Sequence, residues 1–418
     1  MCGIAGYIFP PQKSKPEWAH EKCLSDMLQL IHHRGPDGQG IEAGDGYGLG
    51  HVRLSILDTS NAAHQPMWSK DKRYCLIYNG ELYNFKSLKQ DLKSKGYNFI
   101  SDGDTEVLLY ALIHWNKNAF SQLEGMFAGV LYDTQEQTAL IFRDQLGIKP
   151  LYYSFQNDAF VFASEVKALK PILKSFSINN ASIYEYTNFR YVAGENTLFQ
   201  NIKRLLPGHC IEISKNGDTK FHKFYDVLGS LYQSSPDPEL DQIEQVVCDS
   251  IKAHTLSDVG YSIQLSGGID STFITNVLGN QQKELDTYSV SLPGQKDDEK
   301  EYQDIVAQKC GTMAAVKNLN KHPDIFVANE VHYFDRNWHT HDLVWYSSQF
   351  KTNKPILGEK TPELIYVDDC ACRIKEVSPD AKFVLFLRDP IARAFSAWNM
   401  NVTKNRESAT FEECVQRN

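Results

Sequence analysis

Between residues 1 and about 205, apolar positions come in short runs, some continuous and some alternating with polar residues: GIAGYIF, YGLGHVRLSIL, YCLIYNG, MFAGVLYD, TALIFRD, LYYSF and AFVFAS. Turn-forming residues separate them, which predicts a mostly antiparallel sheet structure. Apolar spacing of three and four predicts helices at about 17–32, 84–95 and 104–116. The stretch LGSLYQSSPDPEL, 228–240, has little regular pattern and reads as a linker. Beyond it the rhythm changes: a helical run to about 255, the strand YSIQLS, a Gly-Gly turn, a helix from about 270 and the strand DTYSVSL. Strand, helix, strand is the unit of a doubly wound parallel sheet. A second succession follows residue 312, with AKFVLFLRDP as a buried strand and TFEECVQRN as a helix.

One segment, VAQKCGTMAAVKNL at 306–319, reads in two directions. Tyr302, Ile305, Val306 and Cys310 recur at helical spacing, so Gly311 should stop a helix. The same Lys309, Cys310, Gly311 and Thr312 also look like a loop that opens a helix, a place where free backbone N–H groups and the helix dipole attract an anion.

At 418 residues the chain exceeds one ordinary core, and two or three domains are expected. A net charge of −9 without any basic cluster argues against nucleic acid as a partner. No apolar run approaches the roughly 20 residues that span a bilayer, and Met-Cys-Gly does not open a signal peptide, so no membrane partner and a cytoplasmic location are expected. Nine scattered cysteines fit a reducing compartment. The pair Cys370 and Cys372 lacks the second pair a zinc site needs, and no metal-binding residues are assigned.

Cys2 directly follows the initiator methionine, so removal of Met1 would set a free amine beside a thiol. Such an amine titrates near 8 and can serve as base for its own side chain. Alone, this describes an ordinary second residue. CGIAGY, HHRGPDG, HVRLSILD, YNGELYNF, DGDTEVLLYA, FRDQLGIKPLYY and ASEVKAL, however, occur in that order, and together they resemble the glutaminase domain of class II glutamine amidotransferases, in particular glutamine-hydrolysing asparagine synthetases. The resemblance covers 1–210. It implies an α+β four-layer sandwich of antiparallel sheets, of the N-terminal nucleophile hydrolase type, followed by α/β parallel-sheet segments. It also implies roles: Cys2 as nucleophile, Asn79 and the Gly80 N–H as oxyanion donors, Arg53 on the glutamine carboxylate, Glu81 and Asp104 on its ammonium. Each has a plainer alternative. Asn-Gly is the commonest hairpin turn signal, and an isolated arginine is more often a surface ion pair. Arg34, Asp37 and Asp144, within the same motifs, are expected to be structural.

IQLSGGIDST, 263–272, places Ser-Gly-Gly between a strand and a helix, and resembles the pyrophosphate loop of ATP pyrophosphatases, asparagine synthetases among them. That resemblance assigns ATP contacts to Leu265, Ser266, Gly267, Gly268, Asp270, Ser271 and Val290, with Mg²⁺, and makes glutamine, aspartate and ATP the small-molecule partners. A homodimer is compatible with it. After a connector at 211–240, the synthetase segment is expected to span 241–311 and to be incomplete.

Residues 309–418 resemble part of a sulfotransferase of the heparan-sulfotransferase type. KCGTMAAVKNLN matches a 5′-phosphosulfate loop with its following helix, and FVLFLRDPIARAFSAWNM a 3′-phosphate site. The resemblance implies 3′-phosphoadenosine 5′-phosphosulfate as ligand, bound by Lys309, Gly311, Thr312, Arg388 and Ser396, with Glu330 as base. The strand that should feed the loop is instead EYQDIVAQ, whose period is helical. The expectation is a crossover within about 306–312. Three functions follow in order: a glutamine amidotransferase of asparagine synthetase type, a sulfotransferase with an amidotransferase leader, and a non-catalytic chimera.

Overall fold

The computed structural model describes residues 2–227, 229, 239–280, 285–289 and 299–309, with further strands at 313–315, 325–329 and 356–360. The chain packs as two units, Met1–Glu244 with Ala253–Val259, and Gln245–Lys252 with Gly260–Asn418.

Two antiparallel sheets build the first unit. One contains β1 (Gly3–Ile8), β2 (Gly38–Gly44), β3 (Tyr47–Arg53), β8 (Tyr152–Gln156), β9 (Ala159–Ala163) and β10 (Lys203–Arg204), in the order β10-β8-β9-β1-β3-β2. The other contains β4 (Met67–Trp68), β5 (Tyr74–Leu82), β6 (Gly125–Asp133), β7 (Thr138–Arg143), β11 (His209–Ile213) and β12 (Thr219–Lys223), in the order β12-β11-β7-β6-β5-β4. Helices α1 (Glu21–Leu30) and α4 (Lys170–Leu173) cover the first sheet, and α2 (Phe85–Ser94) and α3 (Asp104–Trp115) the second. A further helix, α5, spans Asn180–Phe189.

Strand alternation sorts the buried residues into three cores. Along β1 and β9, Ile4, Ile8, Phe160 and Phe162 point between the sheets, while Ala5, Tyr7, Val161 and Ala163 point to α1 and α4. Along β5, Cys75 and Ile77 share the inter-sheet core, whereas Leu76 and Tyr78 meet α2 and α3. Both faces of each sheet are therefore covered, giving helix, sheet, sheet and helix in four layers. This double burial is why many runs read as continuously apolar, and each fully buried Phe, Leu or Ile contributes about 1.5–3 kcal/mol.

The sheet does not stop at residue 210. Cys210–Ile213 pair with β7, and Thr219–Lys223 pair with β11, so the expected connector at 211–240 begins too early. TKFHK is an edge strand with mostly polar letters, which left no apolar run to reveal it.

In the second unit, β13 (Ile263–Gln264), β14 (Asp286–Tyr288) and β15 (Met313–Ala315) form a parallel sheet in chain order. Helix α6 (Leu240–Ala253), of which Gln245–Lys252 belong to this unit, precedes it, α7 (Ile269–Gly279) follows β13, and α8 (Lys300–Lys309) precedes β15. Ile263, Leu278 and Leu285 form the small core, with Ile251 and Tyr261 against it. A separate parallel pair joins β16 (Ile325–Asn329) to β17 (Ile356–Lys360).

The two-way segment is thereby resolved in part. Lys309 closes α8, and Met313–Ala315 form a strand rather than the loop and following helix of a phosphosulfate site. Ala314 lies opposite Thr287, extending the sheet that carries the Ser-Gly-Gly turn. A short run such as MAA has no period of its own, and pairing with β14 decides its state. Val290, Gly311, Thr312, Glu330, Arg388 and Ser396 lie outside the described residues, as do the linker at 230–238 and AKFVLFLRDP.

Candidate active site

Cys2 sits immediately ahead of β1, an interior strand flanked by β3 and β9, so a rigid sheet holds the first residues. Its Sγ accepts from the Leu54 N–H at 3.4 Å and lies 3.6 Å from the Leu54 carbonyl. The Arg34 Nε donates to the Cys2 carbonyl at 3.0 Å, and Arg34 pairs with Glu165 at 3.0 Å. Burial pushes the Cys2 thiol up, opposed by the Leu54 N–H. A thiol so placed is protonated near neutral pH and needs a base to become a nucleophile.

Asn79, Gly80 and Glu81 lie inside β5, opposite Ala128, Phe127 and Met126 of β6. The pair Asn79-Gly80 is therefore no hairpin turn. The Asn79 Nδ2 is buried with no hydrogen-bond partner among the described residues. An orphaned buried amide costs about 1–3 kcal/mol and so calls for an explanation. A Cβ at residue 80 would stand 2.4 Å from the Met126 carbonyl and 2.6 Å from the Tyr78 ring, so only glycine fits beside it. One Glu81 carboxylate oxygen is also buried without a partner among the described residues. Burial, then the Asp104 charge, raise Glu81 to about 7, against the pull of Lys149.

Asp104 opens α3 and is buried. It accepts from the Leu82 N–H at 2.9 Å and the Tyr78 hydroxyl at 3.0 Å. Its pKa is raised by burial and held back by those two donors. Two neighbouring carboxylates are thus each pushed up, a state that a nearby cation would relieve.

Arg53 ends β3 at 7% exposure and makes no ion pair with a described residue. Its guanidinium donates to the carbonyls of Ser60 at 2.9 Å and Leu57 at 3.4 Å, and to that of Asp58. The loop curls around the cation, with Asp58 at a φ of 45°. Asp37 accepts from the Ser55 N–H at 2.8 Å. Asp144 accepts from the amides of Phe127, Leu146, Ile148 and Lys149. Arg34, Asp37 and Asp144 thus fasten backbone.

Lys149 was not singled out by its motif. It is 5% exposed and makes no ion pair with a described residue. Its backbone N–H is held by Asp144, which also holds the Phe127 N–H opposite Gly80. Burial lowers its pKa, offset by Glu81. A lysine between Gly-Ile and Pro carries no periodic signal; only tertiary placement shows it buried. His51 is likewise fully buried, its Nε2 3.2 Å from the Tyr78 carbonyl and its Nδ1 without a partner among the described residues, and burial lowers its pKa to about 3.

At the second candidate site, Leu265–Gly268 join β13 to α7. Gly267 has a φ of +89°, and a Cβ there would lie 3.0 Å from Glu299 Cβ. The Ser266 and Ser271 hydroxyls are 2.9 Å apart, and Gly268 caps α7 without a side-chain acceptor. Asp270 lies in the first turn. Gln303 of α8 donates to the Ser266 carbonyl at 3.1 Å. Among the described residues no group of three or more His, Cys, Asp or Glu is placed to hold a metal ion.

The first unit thus carries a partly buried thiol ahead of a central strand, a buried amide beside a position that only glycine fits, and two neighbouring carboxylates whose pKa values are raised. The family model for the glutamine amidotransferase domain matches residues 1–225, and the chain belongs to that family. A second model, asparagine synthase, matches 242–333 and so runs past residue 311. Asparagine synthetase [glutamine-hydrolyzing] 1 of Bacillus subtilis (strain 168) is 35% identical over 321 residues, covering 77% of this chain and 50% of that protein. Asparagine synthetase B [glutamine-hydrolyzing] of Escherichia coli (strain K12) is 32% identical over 314 residues, covering 71% and 50%. The chain spans about half the length of these curated relatives. Among solved structures, an allosteric regulatory enzyme of purine biosynthesis aligns at 16% identity and a TM-score of 0.40 over 85% of this chain and 90% of that one.

Proposed function

We propose that the first unit hydrolyses glutamine to glutamate and ammonia, and that the ammonia serves an ATP-dependent amidation of aspartate of the asparagine synthetase kind. The observation that carries the reading is the buried, unpartnered Asn79 amide beside Gly80, in a family whose chemistry develops an oxyanion. After Met1 is removed, the Cys2 amine takes the thiol proton as sulfur bonds to the amide carbon. Asn79 Nδ2 and the Gly80 N–H receive the oxyanion. The collapsing intermediate breaks the C–N bond and the amine returns the proton to the departing ammonia. Water then cleaves the thioester, releasing glutamate and restoring the thiol. Arg53 faces the substrate carboxylate, and Glu81 with Asp104 its ammonium. Gly268 and the first turn of α7 receive the nucleotide pyrophosphate alongside Leu265, Ser266, Gly267 and Ser271. Mg²⁺ would arrive with those phosphates.

Support for the synthetase half comes from the family match at 242–333 and the relatives named as glutamine-hydrolysing asparagine synthetases. A sulfotransferase activity with 3′-phosphoadenosine 5′-phosphosulfate is favoured by no observation among the described residues. The test supplies glutamine, aspartate and Mg-ATP and follows glutamate, asparagine and AMP together. Matched asparagine and AMP support the coupled reaction. Glutamate alone confines the activity to the first unit, and absence of glutamate overturns the reading.

A further inference from the structure

The segment after α6 has a double allegiance. Residues 242–333 match the asparagine synthase family, yet Ala253–Val259 pack with the glutaminase unit. There the Asp258 N–H donates to the Ile56 carbonyl at 3.0 Å, and Asp258 Oδ2 accepts from the Asp58 N–H at 2.7 Å. One residue thus clasps Ile56–Asp58 from both ends. The same loop turns three carbonyls, those of Leu57, Asp58 and Ser60, onto the Arg53 guanidinium. Asp58 itself occupies the left-handed region at φ 45°, a conformation that needs outside support. Its carboxylate is committed elsewhere, to the Ser60 hydroxyl and amide and to the Asp102 N–H. A second pin lies nearby: His254 Nε2 is 2.8 Å from the Tyr83 hydroxyl, their ring centroids 4.4 Å apart, two residues beyond Glu81 in the sequence.

We propose that Asp258 is a positioning residue for glutamine binding: it fixes the Ile56–Ser60 loop, the loop aims Arg53, and Arg53 takes the substrate α-carboxylate. The inference rests on the glutaminase reading above. It makes glutamine affinity depend on a residue that belongs by sequence to the synthetase family match. A carboxylate that grips backbone at both its amide and its side chain controls shape rather than charge. The substitution Asp258→Asn would preserve both bonds, and Asp258→Ala would lose the one that restrains the Asp58 N–H.

The test compares the full-length wild type with Asp258→Ala and Asp258→Asn. Asp258→Ala should raise the KM for glutamine about tenfold with kcat within about twofold, a fraction of the ~100-fold that a 1 Å misplacement can cost. Asp258→Asn should stay near wild type. Amide hydrogen exchange at residues 56–58 should accelerate in the alanine variant only. Alkylation of Cys2 by iodoacetamide, which brings no α-carboxylate to Arg53, should proceed equally in all three. Unchanged KM and unchanged exchange would overturn the inference. So would an alanine variant that loses kcat and iodoacetamide reactivity together, since that reports general disruption. If the wild type releases no glutamate, the glutaminase reading fails separately, and the exchange experiment still decides whether Asp258 holds the loop.

Discussion

The two units place their candidate sites on different foundations. In the first, Asn79, Gly80 and Glu81 lie within a nine-residue strand, and Cys2 abuts a strand with neighbours on both sides. In the second, the Ser-Gly-Gly turn hangs between a two-residue strand and a helix, over a core of Ile263, Leu278 and Leu285 among the described residues. The contrast fits the chemistry proposed for each site. An oxyanion forms at one point, so its donors must be fixed before reaction and unsatisfied at rest. A pyrophosphate presents many oxygens, and a helix start with a flexible glycine can close around it. The first site is backed by three cores, the second by one small core among the described residues.

The largest test of this contrast is Cys2→Ala, which should reduce glutamate release to background, a loss on the order of 10⁶ as for nucleophile removal in other hydrolases. The melting temperature should barely move, because one partly buried sulfur leaves and no core residue does. Asn79→Ala comes next. Its kcat should fall about 10²–10³-fold with KM little changed, since the amide acts on the developing oxyanion. A kcat near wild type in steady-state assays would mean that the unpartnered Nδ2 serves no substrate.

A smaller effect is expected from pH. Glu81 is raised to about 7, so the folded site prefers its neutral form. The sign is that Glu81 favours the fold at low pH, and this contribution fades as pH rises from about 4.5 through 7. Glutamine binding runs the opposite way, because only the carboxylate attracts an ammonium. The KM should therefore drop severalfold between about pH 6 and pH 8, either side of that titration, and Glu81→Gln should flatten the slope while raising KM throughout. A slope that persists in Glu81→Gln would assign the titration to another group.

Gly267→Ala should have the smallest effect on the first unit. A side chain at φ +89° costs about 1–2 kcal/mol, and its Cβ would crowd Glu299. Nucleotide binding, followed by calorimetry with ATP, should weaken, whereas glutamate release in the absence of ATP should match wild type. Equal loss of both would show the two sites to be less separate than their foundations suggest.

Much of this architecture was legible in the chain itself. Helices expected at about 84–95 and 104–116 formed at Phe85–Ser94 and Asp104–Trp115, because apolar letters at spacings of three and four must find one buried face. The seven ordered motifs of the first half marked its family, and the break in rhythm near 239 marked a change of sheet type. Other features were invisible. TKFHK became a strand because β11 offered it an edge, and MAA because β14 did. Asn79-Gly80, for which a hairpin turn was the plainer alternative, lies inside a strand, since a ladder with β6 outweighs a two-residue preference. For Arg53 the plainer alternative was a surface ion pair, and the structure instead closes three loop carbonyls around its guanidinium. Sequence determined which residue types were available and which segments had a periodic face to bury. Burial, orphaned donors and the clasp of Asp258 on residues 56 and 58 arise between segments far apart in the chain, where short-range pattern has no reach and only packing chooses the partners.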